Sequence, residues 1–210
     1  MTTAIVDFAS LQTALTSWIG DNIAAPNYND FIGLFEKWFD RRNVLLGGIR
    51  QTETSTTLAL ASNSLSIPAD YLAWRSVEWA GLTPPVKLKY VHPGDLRTSP
   101  ITTVDGGTTE FFTIEDGTLT VRPTDSANNN VTLRYWQKLT PLSNAATTNW
   151  LILAYPDIYL FGSLVESCAF KEHDDYLSIW RDRRDATMAE IVSMSNLSKG
   201  ESGVRADEYF

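Results

Sequence analysis

The sequence predicts an α+β protein, in which a helical bundle formed by the N- and C-terminal helices carries an inserted antiparallel β-sandwich or barrel-like region and a flexible C-terminal tail. Apolar residues recur at three- and four-residue spacing at both ends of the chain, as in amphipathic helices. The middle is rich in threonine and in turn dipeptides, which favours short strands. We therefore predict a helical bundle from 1–50 and 141–194, a β-rich insertion at 51–140 and a flexible arm at 195–210.

Composition and charge exclude several classes of protein. The chain has 210 residues, of which 43% are hydrophobic, and this is not the composition of a disordered chain. Its 17 basic and 25 acidic residues give a formal net charge of −8, which argues against a nucleic-acid binder that neutralises phosphates. Cys168 is the only cysteine, so no intrachain disulfide can form. With no signal peptide and no membrane-length apolar run, we expect a soluble protein made in a cytoplasm.

Two helices are predicted in residues 1–50. Asp7 is the expected N-cap of the first, because its carboxylate can accept from free amides of the first turn. The second is expected to follow a break at 22–26, with Asn27 as its cap, and to end at Gly47-Gly48. The apolar face of the first helix is predicted as Phe8, Leu11, Leu15, Trp18 and Ile19. In the second helix, Phe31, Leu34, Phe35 and Trp38 are predicted to be buried, and Glu36, Lys37, Arg41 and Arg42 to be solvated.

The clearest unit of the β-rich region is a hairpin around Asp116-Gly117. This dipeptide supplies two residues that tolerate positive φ, as a two-residue hairpin turn requires. Alternating apolar residues flank it, and a further alternating strand follows. These apolar positions are Phe112, Ile114, Leu119 and Val121 in the hairpin, and Val131, Leu133 and Tyr135 in the later strand.

Helices are predicted again from residue 149. Asn149 is the expected cap of a short helix, and Pro156 suits the first position of the next, where its missing N–H is not needed. A last helix follows an acidic break at 172–175. Its predicted apolar positions are Tyr176, Leu177, Trp180, Met188 and Ile191, with residues 181–185, including Arg184, mostly outside. From Ser195 the chain is polar and contains two glycines, so we expect it to be mobile.

No candidate for chemistry is convincing. Neither glycine pair is followed by the Lys-Ser/Thr of a phosphate-binding loop. The potential metal ligands His92, His173 and Cys168 are too few and too scattered for a zinc site. His92 and His173 are expected in solvated turns, and Cys168 as a buried thiol on an apolar helix face. We therefore predict a protein that is not an enzyme, with no catalytic residue, metal or cofactor, and we keep as an alternative a hydrolase whose site leaves no signature.

Aromatic residues leave a second alternative open. Trp74 and Trp79 flank Val77 in a strand segment, and with Tyr90 they could stack on a sugar. A carbohydrate- or ligand-binding β-module with helical flanks is therefore the main alternative, although core or subunit contacts are the more common use of such residues.

Several segments, taken in order, resemble the head-to-tail adaptor (connector) proteins of tailed phages, the family that includes tail tubular protein A of short-tailed phages. The first is an apolar strand leading into Pro68-Ala69-Asp70-Tyr71. The others are a strand ending in aromatics before Pro141-Leu142-Ser143, a helix opening with Pro156-Asp157, and a last helix with an early Trp180. The likeness covers about residues 55–192.

The resemblance implies a structural virion protein at the neck, assembled in the host cytoplasm. Its partners would be the portal protein, the tail nozzle or tail tube protein, and further copies of itself in a ring, commonly dodecameric. Genomic DNA would pass through the channel without sequence-specific binding, and no membrane is involved. An acidic lumen would repel phosphate and let DNA slide. The polar arm is then expected to dock on the portal through Lys199, Val204, Arg205, Tyr209 and Phe210; the alternative is an end without function.

Overall fold

The computed structural model describes residues 4–20, 25–80, 84, 86–98, 111–122, 130–171 and 174–198. The helices are α1 (Phe8–Ile19), α2 (Ala25–Leu45), α3 (Pro93–Thr98), α4 (Trp150–Ala154), α5 (Pro156–Lys171) and α6 (Asp174–Ser198). The strands are β1 (Glu53–Ala59), β2 (Ser64–Ser66), β3 (Tyr71–Trp79), β4 (Lys89–Tyr90), β5 (Phe111–Glu115), β6 (Thr118–Arg122) and β7 (Asn130–Gln137). The predicted α+β class is confirmed.

The chain forms two compact units. The helical unit comprises Met1–Thr52 and Leu139–Phe210, and the β unit comprises Glu53–Lys138. All the helices except α3 lie in the helical unit, and every strand lies in the β unit.

A reciprocal cap starts α1, and its N-cap is Asp7, as predicted. The Asp7 carboxylate accepts from the Ser10 amide at 2.8 Å, and the Ser10 hydroxyl accepts from the Asp7 amide at 2.9 Å. These bonds satisfy two amides that a helix start would otherwise leave free. The bonds from Ser10 also lower the pKa of the Asp7 carboxyl. Gly20 then ends the helix with φ 73°, in the left-handed region that favours glycine.

The predicted start of α2 is wrong. The helix begins at Ala25, so Asn27 lies inside it rather than at its cap. Pro26 is compatible with this start because amides in the first helical turn have no partner within the helix. The predicted end is confirmed: α2 stops at Leu45, and Gly47 and Gly48 both have φ 79°.

Several predicted helix faces are also wrong. Trp18, Leu34 and Tyr176 are about half exposed, whereas Glu36 and Arg184 are buried. The period of a helix shows which residues share a face, but it cannot show that a buried charged group has a partner. Here the Arg184 guanidinium lies 4.0 Å from the centre of the Trp38 ring and pairs with Asp185 at 2.9 Å. These contacts compensate for its burial.

The later helices largely follow the sequence. The Asn149 side chain accepts from the amides of Leu151 and Ile152, so the predicted cap of α4 is confirmed. Pro156 opens α5 as expected. The predicted start of the tail at residue 195 is wrong, because α6 continues to Ser198 and Ser195 is buried. The Ser195 hydroxyl accepts from the Arg50 amide at 2.9 Å. The rest of the predicted arm lies outside the described residues.

The β unit contains two sheets. One has the order β1-β7-β3 and is antiparallel throughout; the other has the order β2-β6-β5-β4, in which only β4 and β5 are parallel. Both sheets contribute to one core, in which Trp79, Phe112, Leu119 and Leu133 are buried. Among the described strands the sheets do not close into a barrel. The hairpin turn is as predicted, with Asp116 and Gly117 at φ 47° and 70°. The predicted alternation fails in β5, where Thr113 is buried and Ile114 only half-buried.

Candidate interaction surfaces

The helical unit exposes more apolar surface than the β unit. Among the described residues, thirteen large apolar side chains are exposed, and all except Trp74 and Tyr90 belong to the helical unit. Single exposed apolar residues are ordinary, but groups of them mark interaction sites. Two such groups border a cavity or groove on the helical unit.

The first is a groove between the C-terminal parts of α2 and α6, about 730 Å³ in volume. We call it the α2–α6 groove. Apolar side chains of α6 and of Leu46, just after α2, line it, with one basic and one acidic residue among them. Its lining is Arg42, Leu46, Asp185, Met188, Ala189, Val192, Ser193, Asn196 and Leu197. Leu46 and Leu197 are 38% and 81% exposed, so the groove presents a group of exposed apolar side chains rather than a single one.

A buried hydrogen-bonded network joins the last turn of α2 to the segment that follows it. The Asn43 side chain is fully buried; its oxygen accepts from the Ile49 amide at 2.7 Å and its amide donates to the Thr52 hydroxyl at 2.9 Å. The next residue of that turn, Arg50, donates its backbone amide to Ser195 on α6. The ends of α2 and α6, which flank the groove, are therefore joined by hydrogen bonds through the turn after α2.

The second group is an aromatic cluster formed by α1, α5 and α6. Phe161 and Trp180 stack with ring centres 5.9 Å apart, and Trp18 meets Trp180 edge-on at 5.3 Å. The Arg183 guanidinium lies 5.5 Å from both stacked rings. A cavity of about 320 Å³ adjoins the cluster and reaches Cys168, which is buried as predicted.

A buried carboxyl on α2 holds the segment that enters the C-terminal helices. Glu36 accepts from the Leu142 amide at 2.8 Å and from the Tyr159 hydroxyl at 3.0 Å. Asn149 donates to the same hydroxyl at 2.6 Å and to the Thr140 carbonyl at 2.8 Å. Burial raises the pKa of Glu36 to about 7, although both hydrogen bonds oppose the rise. Burial and the neighbouring Glu36 raise the pKa of Tyr159 as well.

Two of the adaptor-like sequence elements, one leading into β3 and one following β7, have structural explanations. Leu142, in the Pro141-Leu142-Ser143 element, donates its amide to Glu36. In the Pro68-Ala69-Asp70-Tyr71 element, Asp70 accepts from the Tyr135 hydroxyl at 3.0 Å, and its carbonyl accepts from the Lys138 amide at 2.7 Å. Burial, and then Asp70, raise the pKa of Tyr135 to about 12. Both elements thus hold backbone near the C-terminal end of β7.

The residues predicted to dock on the portal, Lys199, Val204, Arg205, Tyr209 and Phe210, lie outside the described part of the chain. One of the three aromatic residues proposed to stack on a sugar is inaccessible, because Trp79 is buried in the β core at 2% exposure. Trp74 and Tyr90 remain exposed, but their rings stack on each other at 5.4 Å.

Two of the three potential metal ligands, His92 and Cys168, lie in the described part of the chain. His92 is exposed beside α3 and accepts from the Gly94 amide, whereas His173 lies outside the described residues. Within the ranges that the structure describes, no three His, Cys, Asp or Glu residues are grouped so as to hold a metal ion. None of the described helices has both the length and the apolar character of a membrane span.

Sequence reasoning missed the α2–α6 groove. Arg42 was assigned to a solvated face, and Leu46 and Leu197 to no face. The usable signal is the adjacent pair Leu45 and Leu46 at the end of α2; both are exposed, and Leu46 lines the groove.

Comparison with known proteins gives one informative match. Residues 6–206 match a family model described as SU10 adaptor protein. The match spans both units and all the described elements. No curated protein matches the chain significantly.

Proposed function

Since the chain belongs to the SU10 adaptor protein family, whose members are structural proteins of phages, we propose that it is a head-to-tail adaptor at the virion neck. In this proposal copies of the chain form a ring, dodecameric in the virion, between the portal and the tail nozzle or tail tube. The ring lines the DNA channel, and the neck assembles in the host cytoplasm. Likeness to tail tubular protein A of short-tailed phages is part of the proposal.

The family match over 201 residues carries this proposal, and the surface of the helical unit supports it. A ring is built from heterologous contacts, in which one patch of each copy meets a different patch of the next. The α2–α6 groove and the aromatic cluster of Trp18, Phe161 and Trp180 are two different patches on the helical unit. The described residues of the β unit expose only two large apolar side chains.

The charge of the chain suits a channel that DNA must traverse. With a net charge of −8 for each copy, a ring repels the phosphate backbone over distances comparable to the Debye length, roughly 8 Å at physiological salt. A strongly basic lumen would instead bind DNA and retain it.

Mass measurement tests the assembly. The isolated chain and the portal ring of the same phage are each measured alone and then mixed. A single larger species containing both proteins, with a fixed number of adaptor copies per portal ring, is the expected result. The mixture is measured at concentrations above 10-fold those in an infected cell. If it then contains only the two original species, the proposed function as a head-to-tail adaptor is wrong. Specific glycan binding by the isolated chain that is lost in Trp74→Ala would favour the carbohydrate-binding alternative.

The arm is the proposed portal contact, through Lys199, Val204, Arg205, Tyr209 and Phe210. Because α6 continues to Ser198, the deletion that tests the arm should remove residues 199–210 and leave the helix intact. Portal binding should be lost while the far-ultraviolet circular dichroism spectrum keeps its helical signal. The double substitution Tyr209→Ser with Phe210→Ser is the milder variant, because it removes only the aromatic anchors. Unchanged portal binding in both variants would remove the arm from the proposal.

A further inference from the structure

The α2–α6 groove has the shape and chemistry of a site for a short peptide. Its volume of about 730 Å³ lies within the ~300–1,000 Å³ typical of binding pockets. Leu46, Met188, Val192 and Leu197 make it apolar, while Arg42 adds a positive charge. The helix ends that flank it are joined through the buried Asn43 and through the hydrogen bond from the Arg50 amide to the Ser195 hydroxyl.

The chain itself continues from the end of this groove. Ser193, Asn196 and Leu197 line it, and Ser198 is the last residue of α6. From Asp185 to Leu197 the groove follows α6 for about 18 Å, at 1.5 Å per helical residue. Residues 204–210 span roughly 23 Å when extended. The preceding five residues include Gly200 and Gly203, which allow the chain to reverse direction at low steric cost.

The composition of residues 204–210 complements the groove. Val204, Tyr209 and Phe210 supply apolar side chains, and Asp207 and Glu208 supply negative charge. If the segment runs antiparallel to α6, Val204 lies near Leu197 and the aromatic pair lies deeper, toward Met188 and Arg42. The acidic pair then comes close to Arg42, where opposite charges attract, and the acidic lining residue Asp185 is itself paired with Arg184 at 2.9 Å.

We propose that residues 204–210 occupy the α2–α6 groove of their own chain before assembly, so that the portal must draw the segment out of the groove in order to bind it. This inference rests on the proposed function, because the same segment is the proposed portal contact. It adds a regulatory step. In the isolated chain the groove covers Tyr209 and Phe210; when the portal binds the segment, the α2–α6 groove becomes exposed in the assembling ring.

Disulfide trapping in the full-length chain tests the occupied groove. Ser193→Cys lies on the groove and Ala206→Cys lies in the middle of the segment, whereas Met194→Cys is exposed on α6 outside the lining. Under a glutathione redox buffer, the pair at 193 and 206 should form an intramolecular bond at least 10-fold faster than the control pair at 194 and 206. Peptide mapping identifies the bond and separates it from products of the buried Cys168.

Each outcome bears on the proposal. Equal trapping of the two pairs shows that the segment does not prefer the groove and overturns the inference. Disulfide-linked dimers as the main product place the segment in the groove of a second copy and overturn occupancy by the same chain. Portal binding by the unmodified chain without selective trapping refutes the inference alone, whereas selective trapping without portal binding refutes the proposed function alone.

A competition measurement uses no engineered cysteine. A fluorescent peptide of residues 199–210 is titrated against the wild-type chain and against the full-length chain carrying Tyr209→Ser and Phe210→Ser. The substituted chain should bind the peptide at least 10-fold more tightly, because its own segment no longer fills the groove. Equal affinity for the two chains, or no binding to the substituted one, overturns the inference.

Discussion

The two units bury different kinds of side chains. Of the ten polar or charged residues that are buried in the described part of the chain, only Thr113 belongs to the β unit. The helical unit buries a carboxyl, two asparagines, an arginine and several hydroxyls, and most of them have defined hydrogen-bond partners. Buried polar groups destabilise a fold when unpaired but fix its geometry when paired. The helical unit therefore depends more on specific pairwise geometry than the β unit does.

The difference extends to close packing. In the helical unit α5 approaches α2 so closely that a Cβ at Gly162 would overlap the ring of Phe35. That ring is buried and meets Tyr159 edge-on at 5.0 Å. Tyr159 in turn donates to Glu36. Tyr159 therefore belongs both to the aromatic contact with Phe35 and to the hydrogen-bonded network of Glu36. A substitution that moves Phe35 should also disturb that network.

The largest expected effect comes from Gly162→Ala. The added methyl group forces Phe35 to move within a filled core, which should lower the free energy of unfolding by about 3 kcal/mol. Gly33→Ala is the matched control, because Gly33 is also helical but a Cβ there meets nothing within 4 Å. That substitution should stabilise α2 by up to about 1 kcal/mol through helix propensity. Urea denaturation followed by circular dichroism measures both, and equal effects would disprove the close contact.

The next effect is a pH dependence carried by Glu36. Its pKa is about 7 in the folded chain against 4.5 ordinarily, so between these values the folded state holds a proton that the unfolded state has lost. The contribution to stability is complete below pH 4.5 and is lost as pH rises through 7, by roughly 3 kcal/mol in total. Glu36→Gln keeps a neutral acceptor and removes this dependence.

The measurement is the difference in unfolding free energy between Glu36→Gln and wild type from pH 5 to pH 8. It should move in favour of the variant by roughly 2–3 kcal/mol as pH rises. Glu190→Gln, at an exposed position on α6, is the control and should change the difference by less than about 0.5 kcal/mol. A flat difference for Glu36→Gln would mean that the carboxyl is charged throughout this range.

Asn149 should matter more than an ordinary helix cap. Asn149→Ala removes the cap of α4 and also the bonds to Thr140 and Tyr159, so the expected loss is about 2–3 kcal/mol. Asp7→Ala removes only the cap of α1, at about 1 kcal/mol. Thermal unfolding at equal protein concentration compares them, and equal losses would show that the bonds beyond the cap contribute nothing.

The sequence was more informative about the β unit than about the helical unit. Alternation assigns each strand residue to one of two faces, and Val131, Leu133 and Tyr135 are all buried in the core as that rule requires. In the helical unit the corresponding rule fails at Glu36 and Arg184, because Glu36 accepts from the distant Leu142 and Arg184 packs on the distant Trp38. Local caps at Asp7 and Asn149 were predictable because they depend on neighbouring residues alone.

The candidate surfaces were harder to predict for the same reason. A groove needs two helix ends brought together, and the contact between Arg50 and Ser195 joins residues 145 positions apart. No periodicity encodes such a pairing. The resemblance to phage adaptors came from ordered short elements, and the bonds of Asp70 and Leu142 hold backbone near the C-terminal end of β7.

The same substitution made in each unit gives the smallest and most direct test of the comparison. Thr57 and Thr132 are paired across β1 and β7, and their exposed hydroxyls lie 3.1 Å apart. Thr57→Val keeps the branched side chain and should change stability by less than about 0.5 kcal/mol. Thr52 is fully buried; its hydroxyl donates to the Ile49 carbonyl at 2.7 Å and accepts from Asn43. Thr52→Val leaves the Asn43 amide without that acceptor, so the expected loss is about 1–2 kcal/mol.

Hydrogen–deuterium exchange read from peptides of β7 and of α2 reports each unit separately. Faster exchange in α2 for Thr52→Val, with no change in β7 for Thr57→Val, is the expected pattern. The reverse pattern would mean that the β unit, and not the helical unit, depends on its polar pairs.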